Sequence, residues 1–324
     1  MSYAADMDAH SDLPYREKQA PSLGSLTTEG VNPQSMTIDT MSSLEIVRLM
    51  NAEDEKVARA VGEQSDAIAR AIDIITERLR AGGRLVYFGA GTSGRLGVLD
   101  ASECPPTVST PPEMVVGLIA GGREALTRAI EGAEDHPEAA VRDLQGINFS
   151  AADVAVGIAT SGRTPYVIGG LQYARSLGAS AIGFSCNPAS ELDSAADLVI
   201  APVVGPEVVS GSTRLKSGTA TKMVLNMLTT GTMIRLGKTY GNLMVDLRAT
   251  NTKLKIRSRR IVGQLTGLDE AASDRLLADC YGEVKTAIVV HRLGISPDEA
   301  RARLVAAHGH LREALEHSRT APHE

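Results

Sequence analysis

Five short apolar runs in the centre of the chain constrain its fold more than any other feature. They cover residues 85–88, 115–119, 154–158, 181–184 and 198–203. Each run is apolar at successive positions, so both of its faces are expected to be buried, and helical patterns separate one run from the next. This alternation predicts an α/β fold of three αβα layers around a five-stranded parallel sheet.

Helical periodicity flanks these runs on both sides. Apolar spacing between Leu44 and Leu79 predicts two helices, the first beginning near Ser42–Ser43. A longer pattern over about 212–236 is typical of a core or dimer-contact helix. Short helical patterns follow at 269–280, 284–292 and 297–308. We therefore divide the chain into a flexible extension (1–25), a main domain with N-terminal helices (26–250) and a small helical module (251–324).

Composition excludes several classes of function. The 324 residues carry 33 basic and 39 acidic side chains, a net charge of −6, which disfavours binding to nucleic acid or anionic lipid. Aromatic residues make up 3% and Trp is absent, so stacking platforms for bases are not expected. No apolar run approaches the ~18 residues of a membrane span, and the first residues lack the pattern of a signal peptide.

Three cysteines are scattered along the chain without a CxxC spacing, at Cys104, Cys186 and Cys280. An odd, scattered set argues against a disulfide framework or a zinc site and favours reduced thiols. The sequence thus predicts a cytoplasmic protein with no metal.

A glycine-rich loop follows the first run, and Gly89, Gly91 and Gly94 match the GxGxxG pattern. A dinucleotide site would also need an acidic residue at the end of the second strand, where the chain reads Leu118-Ile119-Ala120-Gly121-Gly122. A Walker loop would need Gly-Lys-Ser/Thr, which does not follow. The hydroxyls of Thr92 and Ser93, beside backbone N–H groups at a helix start, instead suit a phosphate monoester.

A second hydroxyl-rich loop follows the third run, before a helix predicted to begin at Pro165. It reads Ala159-Thr160-Ser161-Gly162-Arg163-Thr164. Loops at neighbouring strand ends converge on one edge of a parallel sheet, so both loops are predicted to bind one phosphate. The candidate ligands are Thr92, Ser93, Thr160, Ser161 and Thr164. The alternative is that these hydroxyls only cap helices.

Three glutamates follow strands at this edge. Pro105 and Pro106 are expected to end the helix that bears Glu103, which would place Glu103 about one helix length from the phosphate, roughly the reach of a sugar. Glu134 is expected near the end of the helix after the second strand. Glu207 follows the fifth run and could bind sugar hydroxyls or cap a helix. Most glutamates are solvated surface charges, so spacing alone does not assign them catalysis.

Several long motifs resemble N-acetylmuramic acid 6-phosphate etherases. They are GRLVYFGAGTSGRLGVLDASECPP at 83–106, Thr28-Glu29-Gly30, EGAED at 131–135, ATSGRTPYVIGGL at 159–171 and GNLMVDLRATNTKL at 241–254. The likeness covers about residues 27–310. The wider relatives are sugar-isomerase (SIS) domains, which bind phosphosugars on a three-layer αβα fold.

This resemblance implies cleavage of the lactyl ether of N-acetylmuramic acid 6-phosphate without a cofactor, and a homodimer with the 212–236 helix as a candidate contact. Glu103 matches the family's proton donor and Glu134 its second catalytic acid/base residue. Ser93, Ser161 and Thr164 match hydroxyls that hold phosphate in SIS domains. Ala159 stands where many SIS loops begin with Ser, although the etherases look the same there.

Two other functions remain open at this stage. A phosphosugar isomerase would also remove a proton beside a carbonyl, but would yield a ketose and no lactate. A sugar-phosphate sensor that regulates transcription would need a basic helix-turn-helix segment, and residues 1–45 contain none. A regulator of the glucokinase type would normally be a longer, duplicated chain.

Overall fold

A computed structural model describes residues 26–247 and 252–316, so the predicted extension at 1–25 lies outside the described residues. Its central sheet has five parallel strands in the order β2-β1-β3-β4-β5. The strands are β1 Leu85–Gly89, β2 Val115–Ile119, β3 Val154–Ile158, β4 Ser180–Phe184 and β5 Leu198–Ile200. The five-stranded parallel sheet predicted from the apolar runs is confirmed.

Helices cover both faces of this sheet. Alternate residues of β1 point to opposite sides, so Leu85 and Tyr87 join one buried core while Val86 and Phe88 join the other. The helices are α1 Ser43–Gly62, α2 Ser65–Arg80, α3 Gly91–Val108, α4 Pro137–Gly146, α5 Pro165–Ser176, α6 Leu192–Ala195 and α7 Lys216–Arg235. The first core includes α1, α2, α3 and α7, and the second includes α4, α5 and α6. The three-layer αβα arrangement is therefore confirmed.

The start of α1 agrees with its sequence signal. The Ser42 hydroxyl accepts the Glu45 N–H, and the Glu45 carboxylate accepts the Ser42 N–H at 2.7 Å, which together form a capping box.

None of the helices within 26–247 and 252–316 is long and apolar enough to cross a membrane.

The expected end of α3 is wrong. The helix continues through Pro105 and Pro106 to Val108, and Ser109 ends it with a left-handed φ of 52°. Buried side chains of Cys104 and Val108 anchor this last turn in the core, and the Ser109 N–H bonds the Pro105 carbonyl at 3.0 Å. Tertiary packing thus outweighs the loss of the two proline N–H groups.

The expectation that Glu134 lies near the end of a helix after β2 is also wrong. The chain forms two short 3-10 helices there, Arg123–Leu126 and Ala133–Asp135, and Glu134 lies in the second. Gly121, Gly122 and Gly132 have φ values of 85°, 69° and 72°, which a continuous α-helix does not allow. These glycines keep Glu134 in a short segment near the edge of the sheet.

The C-terminal part forms a helical unit with its own buried cluster. A short hairpin, β6 Thr239–Tyr240 and β7 Leu243–Met244, precedes it. The helices are α8 Thr252–Thr266, α9 Glu270–Asp279, α10 Val284–Leu293, α11 Pro297–Ala306 and α12 Leu311–Glu316. The predicted boundary at 250/251 falls among residues 248–251, outside the described residues.

Candidate active site

The strand order places a crevice between β1 and β3. The chain moves from β1 to β2 on one side and then crosses to β3 on the other, so β1 and β3 flank the switch point. Ligands of open α/β sheets bind at such a point, outside the carboxyl ends of the strands. Both hydroxyl-rich loops follow these two strands, so the structure brings Thr92 and Ser93 to the same edge as the loop 159–164.

The loop after β1 leads directly into the N-terminus of α3. Its N-cap is Ala90, which has no side chain that could bond the first-turn N–H groups. Ser93 is 9% exposed in this first turn. A Cβ at Gly94 would lie 2.6 Å from the Gly89 carbonyl oxygen, so only glycine lets α3 start this close to β1. The arrangement presents backbone donors at the positive end of a helix dipole, which suits an anion.

The loop after β3 is held by residues that follow β4. The Asn187 side-chain amide donates to the carbonyl oxygens of Thr160 and Ser161, at 3.0 and 3.3 Å. The Ser185 hydroxyl in turn accepts the Asn187 N–H at 2.9 Å. Thr164 is the N-cap of α5, yet its hydroxyl makes no capping hydrogen bond. The capping role considered for these hydroxyls therefore does not account for Thr164.

Thr28, near the start of the described residues, bonds to the Asn187 side chain that holds this loop. The backbone N–H of Thr28 donates to the Asn187 carbonyl Oδ1 at 3.3 Å, and the Thr28 hydroxyl accepts from the Asn187 Nδ2 at 3.1 Å. Sequence reasoning gave neither residue a role. Asn187 follows a strand at the binding edge, and Thr28 lies in a family motif, so both carried a signal that could have been used.

Glu134 shares a cavity of about 160 Å³ with Gly91 at the start of α3. The Arg95 side chain donates to the carbonyl oxygens of Leu126 and Arg128 at 3.2 and 3.0 Å. These bonds tie α3 to the segment that leads to Glu134. Glu134 itself is exposed at the cavity edge. The structure thus brings this predicted acid/base residue to the first loop.

Glu103 lies in a different cavity, of about 300 Å³, between α3 and α7. It follows Gly91 by twelve residues of continuous helix, a rise of about 18 Å. That rise is longer than a hexose phosphate, so within one chain Glu103 lies farther from the first loop than expected. Glu103 and Glu134 thus line two different cavities.

A buried carboxylate lies one helical turn before Glu103 in this second cavity. Asp100 accepts from the Asn226 amide at 2.7 Å and from the Thr229 hydroxyl at 3.3 Å. Burial raises the pKa of Asp100, although both hydrogen bonds oppose that effect. The amide and hydroxyl groups of α7 therefore fix the wall beside Glu103.

Glu207 caps α7. Its side chain is fully buried, and its two oxygens accept the N–H groups of Lys216 and Ser217 at 3.0 and 2.9 Å. This is the capping role that the sequence left open, and a contact with sugar hydroxyls stays a prediction. The same turn is tied to α1, because the buried Lys216 ammonium pairs with Glu53 at 2.7 Å.

The charge state of Glu53 reflects this pairing. Burial alone would raise the pKa of Glu53, but hydrogen bonds from Lys216 and Lys56 outweigh it and lower the pKa to about 2.

Among residues 26–247 and 252–316, no group of three or more His, Cys, Asp or Glu side chains is arranged to hold a metal ion.

Comparison with family models defines the class of protein. The SIS domain model matches residues 133–231, and the model of the glucokinase regulatory protein N-terminal SIS domain matches residues 67–175. A phosphoheptose isomerase from Neisseria gonorrhoeae aligns with a TM-score of 0.46 and 16% identity over 59% of this chain and 98% of that one. With the five-stranded parallel sheet, the SIS matches define an SIS-domain protein.

Sequence relatives narrow this class. An N-acetylmuramic acid 6-phosphate etherase of Rhodopirellula baltica is 65% identical over 90% of this chain and 97% of its own length. One of Brucella anthropi is 57% identical over 90% of this chain and 95% of its own length. The chain belongs to the N-acetylmuramic acid 6-phosphate etherase family, whose members are carbon–oxygen lyases.

Proposed function

We propose that this chain cleaves the lactyl ether of N-acetylmuramic acid 6-phosphate and releases N-acetylglucosamine 6-phosphate and D-lactate. The observation that supports the proposal most is the carboxyl edge of the neighbouring strands β1 and β3: each strand is followed by a hydroxyl-rich loop, and Glu134 lies beside the first loop. Membership of the etherase family identifies the chemistry that such a crevice performs.

The phosphate group is the anchor of the substrate. First-turn N–H groups of α3, together with the hydroxyls of Thr92 and Ser93, bind it from one side. The hydroxyls of Thr160, Ser161 and Thr164 bind it from the other side. Binding energy from this remote group positions C2 and C3 of the sugar for reaction.

The ether breaks by elimination followed by hydration. Opening the sugar ring gives an aldehyde that acidifies the C2 proton, and the lactyl ether oxygen on C3 lies β to the resulting carbanion. Glu134 removes the C2 proton, the C3–O bond breaks, and Glu103 protonates the departing lactate oxygen. Water then adds at C3 and a proton returns to C2. One charged and one neutral carboxyl group suffice for this sequence.

Assembly and location are part of the proposal. The enzyme acts as a homodimer in the cytoplasm on a phosphorylated amino sugar. The exposed apolar residues of α7, Met227 and Ile234, support a contact between copies. Three free cysteines, all buried, support a reducing compartment.

The test is to mix the purified chain with N-acetylmuramic acid 6-phosphate and measure D-lactate. Stoichiometric lactate supports the proposal, whereas a ketose phosphate without lactate would identify an isomerase. The Glu134→Gln variant should slow exchange of the C2 proton in deuterated water by about a hundredfold, because the base is lost. Unimpaired exchange in that variant would remove Glu134 from this role.

A further inference from the structure

Among the described residues, one positively charged side chain lines the cavity beside Glu103. This cavity, of about 300 Å³ between α3 and α7, has three charged residues in its lining, which are Asp100, Glu103 and Lys222. Lys222 lies in the second turn of α7 and is exposed. The proposed function gives this lysine no task, although it accompanies the proposed acid in the same cavity.

The fold itself does not use the Lys222 ammonium. Lys216 and Lys238 each form an ion pair with a carboxylate, at 2.7 and 2.6 Å. The Lys222 side chain forms no hydrogen bond or ion pair with any residue that the structure describes. Exposed lysines are commonly solvated. The charge of Lys222 therefore matters for what lies beside it in the cavity.

Two acidic side chains share the cavity with this charge. Asp100 is 7% exposed and accepts hydrogen bonds from Asn226 and Thr229, so it does not depend on Lys222 for a partner. Burial raises the pKa of Asp100, and the Lys222 charge acts in the opposite direction from a distance. An anion that entered beside charged carboxylates alone would be repelled. Lys222 therefore makes this cavity able to accept an anion.

The substrate of the proposed reaction carries such an anion. In the lactyl group, one carbon atom joins the ether oxygen to the carboxylate. At bond lengths of about 1.5 Å, the carboxylate oxygens lie within about 4 Å of the ether oxygen. An acid that protonates the ether oxygen approaches it to about 2.7 Å. The lactyl carboxylate must therefore share the cavity of Glu103.

We propose that the Lys222 ammonium binds the lactyl carboxylate and so sets the preference of this site for an acidic ether substituent on the sugar. The inference rests on the proposed function, because it takes Glu103 as the group that meets the ether oxygen. The contact exists both before and while the C3–O bond breaks, so it should lower the KM more than it raises kcat. After cleavage, the same ammonium holds D-lactate until it leaves.

A matched pair of substrates tests this contact. In the second substrate, a carboxamide replaces the lactyl carboxylate, which removes the charge and keeps the shape of the group. The wild-type enzyme should use the amide about 10- to 100-fold less efficiently in kcat/KM, the range expected for one hydrogen bond between charged groups. Lys222→Met should lose this discrimination, because its kcat/KM for the acid falls to about the value for the amide.

Further measurements separate carboxylate binding from a structural role. Lys222→Arg keeps the charge and should retain part of the preference for the acid. In Lys222→Met, inhibition by N-acetylglucosamine 6-phosphate should be unchanged, because this sugar has no lactyl group, whereas inhibition by D-lactate should weaken. Arg275→Met removes an exposed positive charge from α9 and should leave the kinetics of both substrates unchanged.

The outcomes distinguish two failures. An equal preference for the acid in the wild type and in Lys222→Met would overturn the role of Lys222. An equal loss towards both substrates, together with weaker inhibition by N-acetylglucosamine 6-phosphate, would also overturn it, because the lysine would then support the fold. A wild-type enzyme that releases no D-lactate from N-acetylmuramic acid 6-phosphate would instead overturn the proposed function.

Discussion

The two parts of the proposed site differ in how completely one chain builds them. The proposed phosphate-binding edge is held by hydrogen bonds from Asn187 to the loop after β3 and by the close approach of Gly94 to the end of β1. The surface around Glu103 is exposed and borders an apolar groove. The fold of one chain thus fixes the proposed phosphate-binding edge, whereas the proposed acid lies on an exposed surface.

This contrast has a thermodynamic reason. Hydrogen-bond donors that the fold fixes in advance lose little conformational entropy when an anion binds, and this favours binding. A carboxylic acid must stay neutral, and exposure to water favours its charged form. The fold of one chain meets the first requirement at the phosphate-binding edge and leaves the Glu103 carboxyl group exposed to water.

The largest expected effect comes from the acid itself. Glu103→Gln keeps the shape of the side chain but cannot donate a proton to the lactate oxygen, so lactate release should fall by about a thousandfold or more. Affinity for N-acetylglucosamine 6-phosphate, measured by calorimetry, should be unchanged because the phosphate edge is intact. Unchanged turnover would eliminate Glu103 as the acid.

The ion pair beneath α7 should affect stability rather than chemistry. Glu53→Gln leaves the buried Lys216 ammonium without its charged partner and should lower the free energy of unfolding by about 3 kcal/mol at pH 7. Urea unfolding followed by circular dichroism measures this. A loss as small as that of Glu55→Gln, an exposed position on α1, would show that the pair contributes little.

The same pair has a defined pH dependence. The pKa of Glu53 is lowered to about 2, so its contribution is complete above the ordinary value of about 4.3 and is lost as the pH falls towards 2. The Glu53→Gln variant should lack this part of the acid destabilisation. Identical pH profiles for the two proteins between these limits would contradict the assignment.

A methyl group at the start of α3 should weaken the phosphate edge. In Gly94→Ala the new Cβ would lie 2.6 Å from the Gly89 carbonyl oxygen, which forces a backbone shift and should cost about 2 kcal/mol of stability. The KM should rise as well, because Ser93 moves with the helix. Gly146→Ala has open space around its Cβ and serves as the control. Equal stability of the two variants would be inconsistent with a tight contact.

The smallest effect concerns Asn187, whose side-chain amide holds the loop after β3. Asn187→Ala removes the donors to the Thr160 and Ser161 carbonyls and should raise the KM about tenfold, with kcat less affected. Inhibition by inorganic phosphate should weaken in parallel. Asn51→Ala, which removes an exposed amide on α1, is the matched control. A selective fall in kcat would assign Asn187 to the chemistry instead.

Local periodicity was sufficient to predict most of the fold. Runs such as 154–158 have both faces buried, and the start of α1 was predicted near Ser42–Ser43, where the structure shows the N-cap. The end of α3 could not be predicted locally, because buried contacts of Cys104 and Val108 keep two prolines in the helix. Both hydroxyl loops were placed from sequence, because they follow strands of one parallel sheet.

The rest of the candidate site depends on long-range contacts. The bond between Thr28 and Asn187 joins positions 159 residues apart, so no local spacing indicates it. Glu103 and Glu134 lie in separate cavities because α3 is long and because glycines after β2 keep Glu134 in a short 3-10 helix.

The central claim is that the C3–O bond of the sugar breaks by elimination and is replaced by water. The most direct test is turnover of N-acetylmuramic acid 6-phosphate in water enriched in the heavy oxygen isotope, followed by carbon NMR of the sugar and mass spectrometry of the lactate. The account predicts label on C3 of N-acetylglucosamine 6-phosphate and an unlabelled hydroxyl in the lactate. Label in that lactate hydroxyl, with none at C3, would contradict it.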